Sequence, residues 1–377
     1  MKPIVRSFLC LTFLTISVSL SCILQVKAQG KDNKPLRLAV AGLKHGHAPF
    51  IFERKDTVEV VVVGIYEPDE ELAARYAKRY HVKNELFYTD LNKMLDAVKP
   101  EAVAAYGSIF DHVKAVEACA PRGIHVMVEK PLATTQPQAI HMEQLAKKYN
   151  IFLLTDYETA WYPSTAKAFE LVNDSNYIGH VKKVVIHDGH EGPKEIGVGP
   201  EFLGWLTDPI QNGGGAVVDF GCYGANLMTF LMGDEKPTSV TAVLRNFKPD
   251  VYKKVDDEAT IIVSYPTAQC IIQASWNWPF GRKDMEVYGD SGYVITVNST
   301  DMRVRNRKVK AEQNAVVTAK DIAVYTDPFS YFKDVIKGKI TMPKNGLYSL
   351  ENNVQVIRIL EAAKLSAKEG RTVKISY

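Results

Sequence analysis

The chain has 377 residues, 46% of them hydrophobic and 24% charged, enough apolar sequence to fill the cores of two domains. Its formal net charge of +3 is small for that length, and no basic stripe is interleaved with aromatics, which excludes nucleic acid as an expected partner. Five cysteines, two of them within the first thirty residues, form no disulfide framework, and no pair has zinc-like spacing.

Residues 1–28 read as a signal peptide. Lys2 and Arg6 precede an apolar run from Phe8 to Leu20, and Val26-Lys27-Ala28 places small residues where a signal peptidase cuts. The run is too short and too rich in Ser and Thr for a membrane span, so no spanning segment is expected. A competing reading lipidates Cys22 after Leu20-Ser21, but Ser19 stands where a lipobox carries leucine. Without a twin-arginine pair, the expectation is export unfolded by the general route to the periplasm.

From Leu36 onward, short apolar runs alternate with amphipathic segments, the pattern of parallel strands joined by crossover helices. Strands are predicted at Leu36–Gly42, Val58–Tyr66, Glu101–Tyr106, Gly123–Ala133 and Ile151–Asp156. Helices are predicted around Leu72, Tyr76 and Tyr80, over Tyr88–Val98, from Asp111 to Gly123, and over Gln136–Tyr149. Beyond Asp156 the runs lengthen and alternate with period two: Val181–Gly189, Thr238–Phe247, Glu258–Tyr265, Cys270–Trp278 and Met285–Val297. That pattern predicts a largely antiparallel sheet with one covered face. A last helix carries Val356, Leu360, Ala363 and Ala367 on one stripe and stops at Gly370.

Two stretches carry chemistry. GIHVMVEKPLA, Gly123 to Ala133, delivers Glu129, Lys130 and Pro131 to the C-terminal end of a strand, where ligands bind in a doubly wound sheet. About ninety residues on, GGGAVVDFGCYGANL puts three glycines before a helical run with Asp219 and Tyr223 four residues apart, on one face. The pair resembles the Gfo/Idh/MocA family, the glucose–fructose and inositol oxidoreductases, marked by E-K-P and by G-G-G-x-x-x-D-x-G-x-[HY]. The resemblance covers nearly all of the chain after the first thirty or so residues. It implies an α/β fold with a Rossmann domain over 34–156 and an α+β domain over 157–377 for substrate and oligomer contacts. In this arrangement a helix at about 349–369 can pack back on the first domain, and a homo-oligomer forms through the C-terminal sheet.

The cofactor turn departs from the glycine-rich pattern. It reads Gly42-Leu43-Lys44-His45-Gly46-His47, with Lys44 and His47 in the second and third glycine places, so Lys44 is expected to meet a phosphate with charge. Glu67 ends the second strand where an acidic residue accepts from the adenosine ribose. No cation follows it in sequence, which favours NAD over NADP. By resemblance Ser108, His112, Glu129 and Lys130 join the cofactor site. Lys130, Asp219 and Tyr223 are the catalytic set, Tyr223 taking the hydroxyl proton with help from the Lys130 charge. Glu158, Trp161, Asp188, His190 and Trp205 are expected at the substrate. His187 and His190 lack a third ligand at a supporting spacing, so no metal is expected.

These residues imply an exported NAD-dependent oxidoreductase acting on a secondary hydroxyl of a sugar or glycoside. One rival is an NAD-dependent glycosidase that oxidises transiently and eliminates. The other is a sugar- or nucleotide-binding module without turnover, suggested by the altered glycine turn.

Overall fold

The computed structural model describes residues 34–377 apart from Thr57 and Lys310. The expected signal peptide and Cys22 lie outside the described residues. Strands β1 (Leu36–Ala41), β2 (Val60–Tyr66), β3 (Phe87–Tyr88), β4 (Ala102–Ala105), β5 (His125–Glu129) and β6 (Leu153–Asp156) form one sheet in the order β3-β2-β1-β4-β5-β6. Every pair in it is parallel. The chain order reverses between β1 and β4, so their C-terminal ends open a crevice.

The apolar runs are continuous because both faces of this sheet are covered. Ala39 and Ala41 of β1, Val103 and Ala105 of β4, and Val126 and Val128 of β5 enter one core; Leu36, Leu38, Val40, Ala102, Ala104 and Met127 enter the other. Helix Glu70–Tyr80 starts where Asp69 accepts the backbone N–H groups of Glu71 and Leu72. The helix predicted from Tyr88 begins at Leu91, because Phe87 and Tyr88 pair with β2 as an edge strand and Asp90 caps the helix N-terminus.

The second sheet holds nine strands: β7 (Val181–Gly189), β8 (Ser239–Arg245), β9 (Glu258–Ser264), β10 (Gln269–Ser275), β11 (Arg282–Gly289), β12 (Gly292–Thr296), β13 (Asp301–Asn306), β14 (Gln313–Val316) and β15 (Val373–Lys374). Its order is β14-β13-β12-β11-β7-β10-β9-β8-β15, antiparallel except between β7 and β10. Cys270, Ile272 and Ala274 of β10 point into the core while Gln269 and Gln273 alternate away from it. The run predicted as one strand from Met285 is a hairpin that turns at Asp290 and Ser291.

Helix Leu350–Glu369 ties the sheets together. Leu350, Val354 and Ile357 belong to one core of the first sheet, and Val356, Ile359, Leu360 and Ala363 to the core of the second. Its first turn is fastened to helix Gly221–Met232 by buried amides, with Asn226 Nδ2 donating to Leu347 O at 2.8 Å and Asn352 Oδ1 at 3.1 Å. Cys119, Cys222 and Cys270 are free and buried in these cores. Among the described residues, no helix is long and apolar enough to cross a membrane.

Candidate active site

The floor of the site is built by two elements meeting end to end. Lys130 follows β5 directly, and Asp219 closes the short helix Ala216–Asp219. That helix is fixed by Asp256, whose carboxylate accepts the N–H of Gly215 at 2.8 Å and of Val217 at 2.7 Å. A Cβ on Gly215 would lie 1.8 Å from the Asp256 carbonyl oxygen, so the last of the three glycines is required for this approach. The helix then breaks at Phe220 and restarts at Gly221. Asp219 and Tyr223 therefore sit on consecutive helices instead of one continuous face, yet both line the same cavity.

Lys130 Nζ donates to the Asp219 carbonyl at 2.8 Å and to Asp219 Oδ1 at 2.5 Å, and Trp276 Nε1 donates to Oδ2 at 2.9 Å. Burial works against both charges, but each partner overrides it: the Lys130 ammonium is pushed above its usual range and the Asp219 carboxyl held below its own. Lys130 is therefore a permanent cation and Asp219 a weak base.

Tyr223 does not receive the help expected of Lys130. The ammonium stands 5.1 Å from the centroid of its ring, over the π face. Lys283 Nζ lies 4.9 Å from the same centroid. Burial, reinforced by Glu158 and other acidic neighbours, raises the phenol well above its ordinary value. A lysine on the ring face leaves the hydroxyl proton in place.

Above this floor opens a cavity of about 880 Å³ lined by Lys130, Asp219, Tyr223, Glu158, His190 and the turn residues His45, Gly46 and His47. Glu158 is paired with Lys283 and accepts from Tyr162 Oη at 2.6 Å; these contacts overcome its burial and pull it down to about 2. The cavity continues along β11 to β13 past Arg282, Asn298 and Arg303. Lys283, Tyr162 and Arg303 carried no sequence signal, since the strand that bears Lys283 begins before its apolar alternation at Met285.

On the other side of the turn, a pocket of about 280 Å³ is lined by Gly42, Lys44, Glu67, Gly107 and His112. Gly42 has φ +87°, and a Cβ there would lie 2.8 Å from Gly107 N. Glu67 accepts from Leu43 N–H at 2.8 Å and Asp69 N–H at 3.0 Å, one on each oxygen, which leaves lone pairs for a ribose. Burial raises its carboxyl despite these donors. Lys44 and Lys114 also border the pocket, cations that the residues following Glu67 in sequence do not reveal.

The turn between the two pockets has spent most of its donors internally. Leu43 N–H goes to Glu67, His45 N–H to Tyr106 O at 2.9 Å, and His47 N–H to His45 Nδ1 at 3.0 Å. Lys44 and Gly46 keep N–H groups with no hydrogen bond among the described residues, and the Lys44 ammonium adds charge. With an adenosine-sized pocket on one side and the cavity on the other, these residues fit a dinucleotide laid across the turn.

Three expected site residues, Ser108, Trp161 and Trp205, are engaged elsewhere. Ser108 Oγ bonds Asp111 Oδ2 at 2.8 Å and Gln211 Oε1 at 2.6 Å, which keeps it in the loop framework. Trp161 Nε1 donates to Asp156 Oδ1 at 3.2 Å and its ring packs on the first-sheet core. Trp205 is buried with Nε1 3.4 Å from Lys44 O, bracing the turn from behind. Asp188 is buried on the covered side of β7 directly opposite Lys283 of β11, the lysine that lines the cavity; burial raises its carboxyl well above the usual range, and neither oxygen has a hydrogen bond among the described residues. His112 borders the smaller pocket, its Nδ1 3.2 Å from Leu132 O, and burial lowers it to about 4.

Among the described residues, two groupings have metal-like spacing, His45 with His47 and Glu129, and His187 with Asp284 and Glu286. In the first, the Nδ1 lone pair of His45 is taken by the His47 N–H. In the second, Arg282 already occupies Asp284 with Nε at 2.8 Å and Nη2 at 2.9 Å.

Family models match both halves: an oxidoreductase family with an NAD-binding Rossmann fold over residues 36–157, and a GFO/IDH/MocA C-terminal domain over residues 166–295. The chain belongs to the Gfo/Idh/MocA oxidoreductase family. It is 29% identical over 211 residues to a trans-1,2-dihydrobenzene-1,2-diol dehydrogenase of Xenopus laevis, a match covering 55% of this chain and 58% of that one. The chain thus spans little more than half the length of that relative. It is 24% identical over 299 residues to the myo-inositol 2-dehydrogenase of Thermotoga maritima, covering 77% of this chain and 84% of that one. Aldose-aldose oxidoreductase from Caulobacter crescentus complexed with glycerol superposes with a TM-score of 0.75 at 22% identity, over 91% of this chain and all of the other. Levoglucosan dehydrogenase in complex with NADH and levoglucosan gives 0.76 at 19% identity, over the same shares. These structures share the fold of a six-stranded parallel sheet followed by a mostly antiparallel one.

Proposed function

We propose that this member of the family oxidises a secondary hydroxyl of a sugar or glycoside with NAD. The observation that carries the reading is the Lys130–Asp219 pair buried at the floor of a cavity large enough for a sugar and rimmed by hydrogen-bonding side chains. Lys130, held protonated, donates toward the substrate oxygen and stabilises negative charge there as the O–H proton leaves. Asp219 keeps the ammonium in place and charged. His190 accepts the Gly192 N–H on Nδ1 at 2.8 Å, so its Nε2–H is a neutral donor for a second hydroxyl. Glu67, Gly42, Lys44 and Gly46 hold the dinucleotide, which supplies the hydride acceptor when bound.

The test is a panel of hexoses, polyols and glycosides supplied with NAD, following both reduced cofactor and released aglycone. Reduced cofactor with at least one sugar or polyol supports the reading. Aglycone release without accumulated NADH would move the protein to the glycosidase, and neither signal to the binding module. We also propose export ahead of folding. An enzyme that captures its cofactor outside the cytoplasm must retain it, so turnover is expected to couple oxidation of one sugar to reduction of a second carbonyl compound. Gel filtration of protein refolded with NAD, followed by sugar addition, checks this: cofactor that washes off readily refutes retention.

A further inference from the structure

The cavity over Lys130 changes character from floor to mouth. Lys130, Asp219 and Tyr223 are buried, whereas Ile196 and Val297, which line the same cavity, are 47% and 44% exposed and therefore stand at its opening. Pro193, Val198 and Ile295 carry the apolar lining inward, and Phe280, 78% exposed, adjoins Gly281 of the same wall. Apolar side chains left in water at the rim of a ligand cleft mark a surface that something covers.

This mouth is built, not frayed. Ile196 N–H donates to Gly192 O at 3.0 Å and Val198 N–H to Pro193 O at 3.1 Å, which closes the segment between β7 and the helix Pro200–Leu206 on itself. Lys248 Nζ holds Glu195 of that segment at 2.8 Å. On the facing wall, Val297 N–H donates to Asp301 O at 2.8 Å where β12 turns into β13. The polar side chains nearby are engaged within the protein. Arg282 is forked on Asp284, Glu286 accepts from Tyr288 Oη, and Arg303 contacts Glu312 at 3.5 Å. Asn298 accepts the N–H groups of Thr300 and Asp301 and donates to Asp301 Oδ2 at 2.8 Å. What they leave for a ligand is chiefly apolar contact.

We propose that this mouth is an aglycone subsite and that the substrate is a glycoside with an apolar aglycone, in preference to a free hexose. The inference rests on the oxidoreductase reading above and names its substrate class. At the floor, Lys130 and His190 donate to sugar hydroxyls and Glu158 accepts from one; the glycosidic oxygen then directs the aglycone outward past Ile196 and Val297. The volume of about 880 Å³ lies high in the range of about 300–1,000 Å³ that holds drug-sized ligands, and one hexose ring is smaller than such ligands. Covering the mouth removes water from the aglycone and from the rim together, so affinity grows with the apolar area added. The subsite breaks no bond; its contribution is to binding.

The test is a series of methyl, butyl, hexyl and phenyl glycosides of glucose and galactose, in both anomers. On NADH-loaded protein, calorimetry should show affinity rising at least about tenfold from methyl to hexyl, each fully buried methylene contributing up to about fourfold. With NAD, the same rise should appear as a lower KM at similar kcat. The double variant Ile196→Asn with Val297→Thr should bring the hexyl-to-methyl ratio toward one at an unchanged melting temperature. A flat series in wild type, free hexoses bound as tightly as their hexyl glycosides, or a preference that survives the double variant overturns the subsite. So does dissociation of an oligomer by the double variant with the preference intact, which would make the mouth an interface between copies of the chain. If no glycoside yields NADH while the binding series keeps its slope, the oxidoreductase reading fails and the aglycone subsite stands.

Discussion

The two halves of the site solve the same problem, holding charge out of water, in opposite ways. At the floor, Lys130, Asp219 and Trp276 form a closed set in which each charge is met inside the protein. At the turn, Gly42 to His47, two backbone N–H groups stay open among the described residues and the side chains of Lys44 and His47 face the two pockets. Charge that is paired internally can orient a substrate; side chains left open can bind or exchange protons. The difference teaches that family membership is written in the floor, whereas what is particular to this chain is written in the turn.

The harshest way to break the floor is Lys130→Ala. It strands a buried carboxylate, which typically costs about 3–5 kcal/mol, so a drop in melting temperature together with loss of turnover is expected. An unchanged melt would mean that the pair is far more hydrated than its burial indicates. Trp276→Phe removes one charged hydrogen bond from Asp219 and should cost about 1.5–3 kcal/mol, read by denaturant midpoint at constant m. On the turn side, Glu67→Ala deprives Leu43 N–H of its acceptor and the ribose of its own. NAD affinity should weaken by on the order of 1–3 kcal/mol, and any preference over NADP should narrow. Calorimetry giving the same dissociation constant would remove Glu67 from the cofactor site. The smallest effect is the sharpest contrast: Tyr223→Phe should leave kcat within about tenfold, well short of the loss expected for a general base. A fall of 10²–10⁴ would return the proton to the phenol and restore the role that the sequence alone suggests for Tyr223.

Much of the architecture was readable because burial on both faces leaves continuous apolar runs such as Leu36–Ala41, and one-sided burial leaves alternation such as that of β10. The polar strand β13, with Arg303 and Arg305, offers neither pattern and becomes visible only through its pairing with β12. In the site, Lys130 and Asp219 followed from motif spacing, and their contact came from the two elements meeting end to end. Spacing could not show that the helix breaks at Phe220, that Lys283 reaches Tyr223 from another strand, or that Asp188 stands directly opposite that lysine. Nor could it weigh Trp161 and Trp205, whose indoles have the right chemistry for a sugar and the wrong neighbours.

The three buried cysteines have a practical consequence. Cys119, Cys222 and Cys270 are free, and burial pushes the first two thiols up to about 12 and raises the third as well, so in the native protein none presents a thiolate to solvent. Cys119 belongs to the parallel-sheet half, and Cys222 and Cys270 to the other. Each half therefore carries its own silent chemical tag. A maleimide pulse during unfolding would date the opening of each core separately, with no probe engineered in.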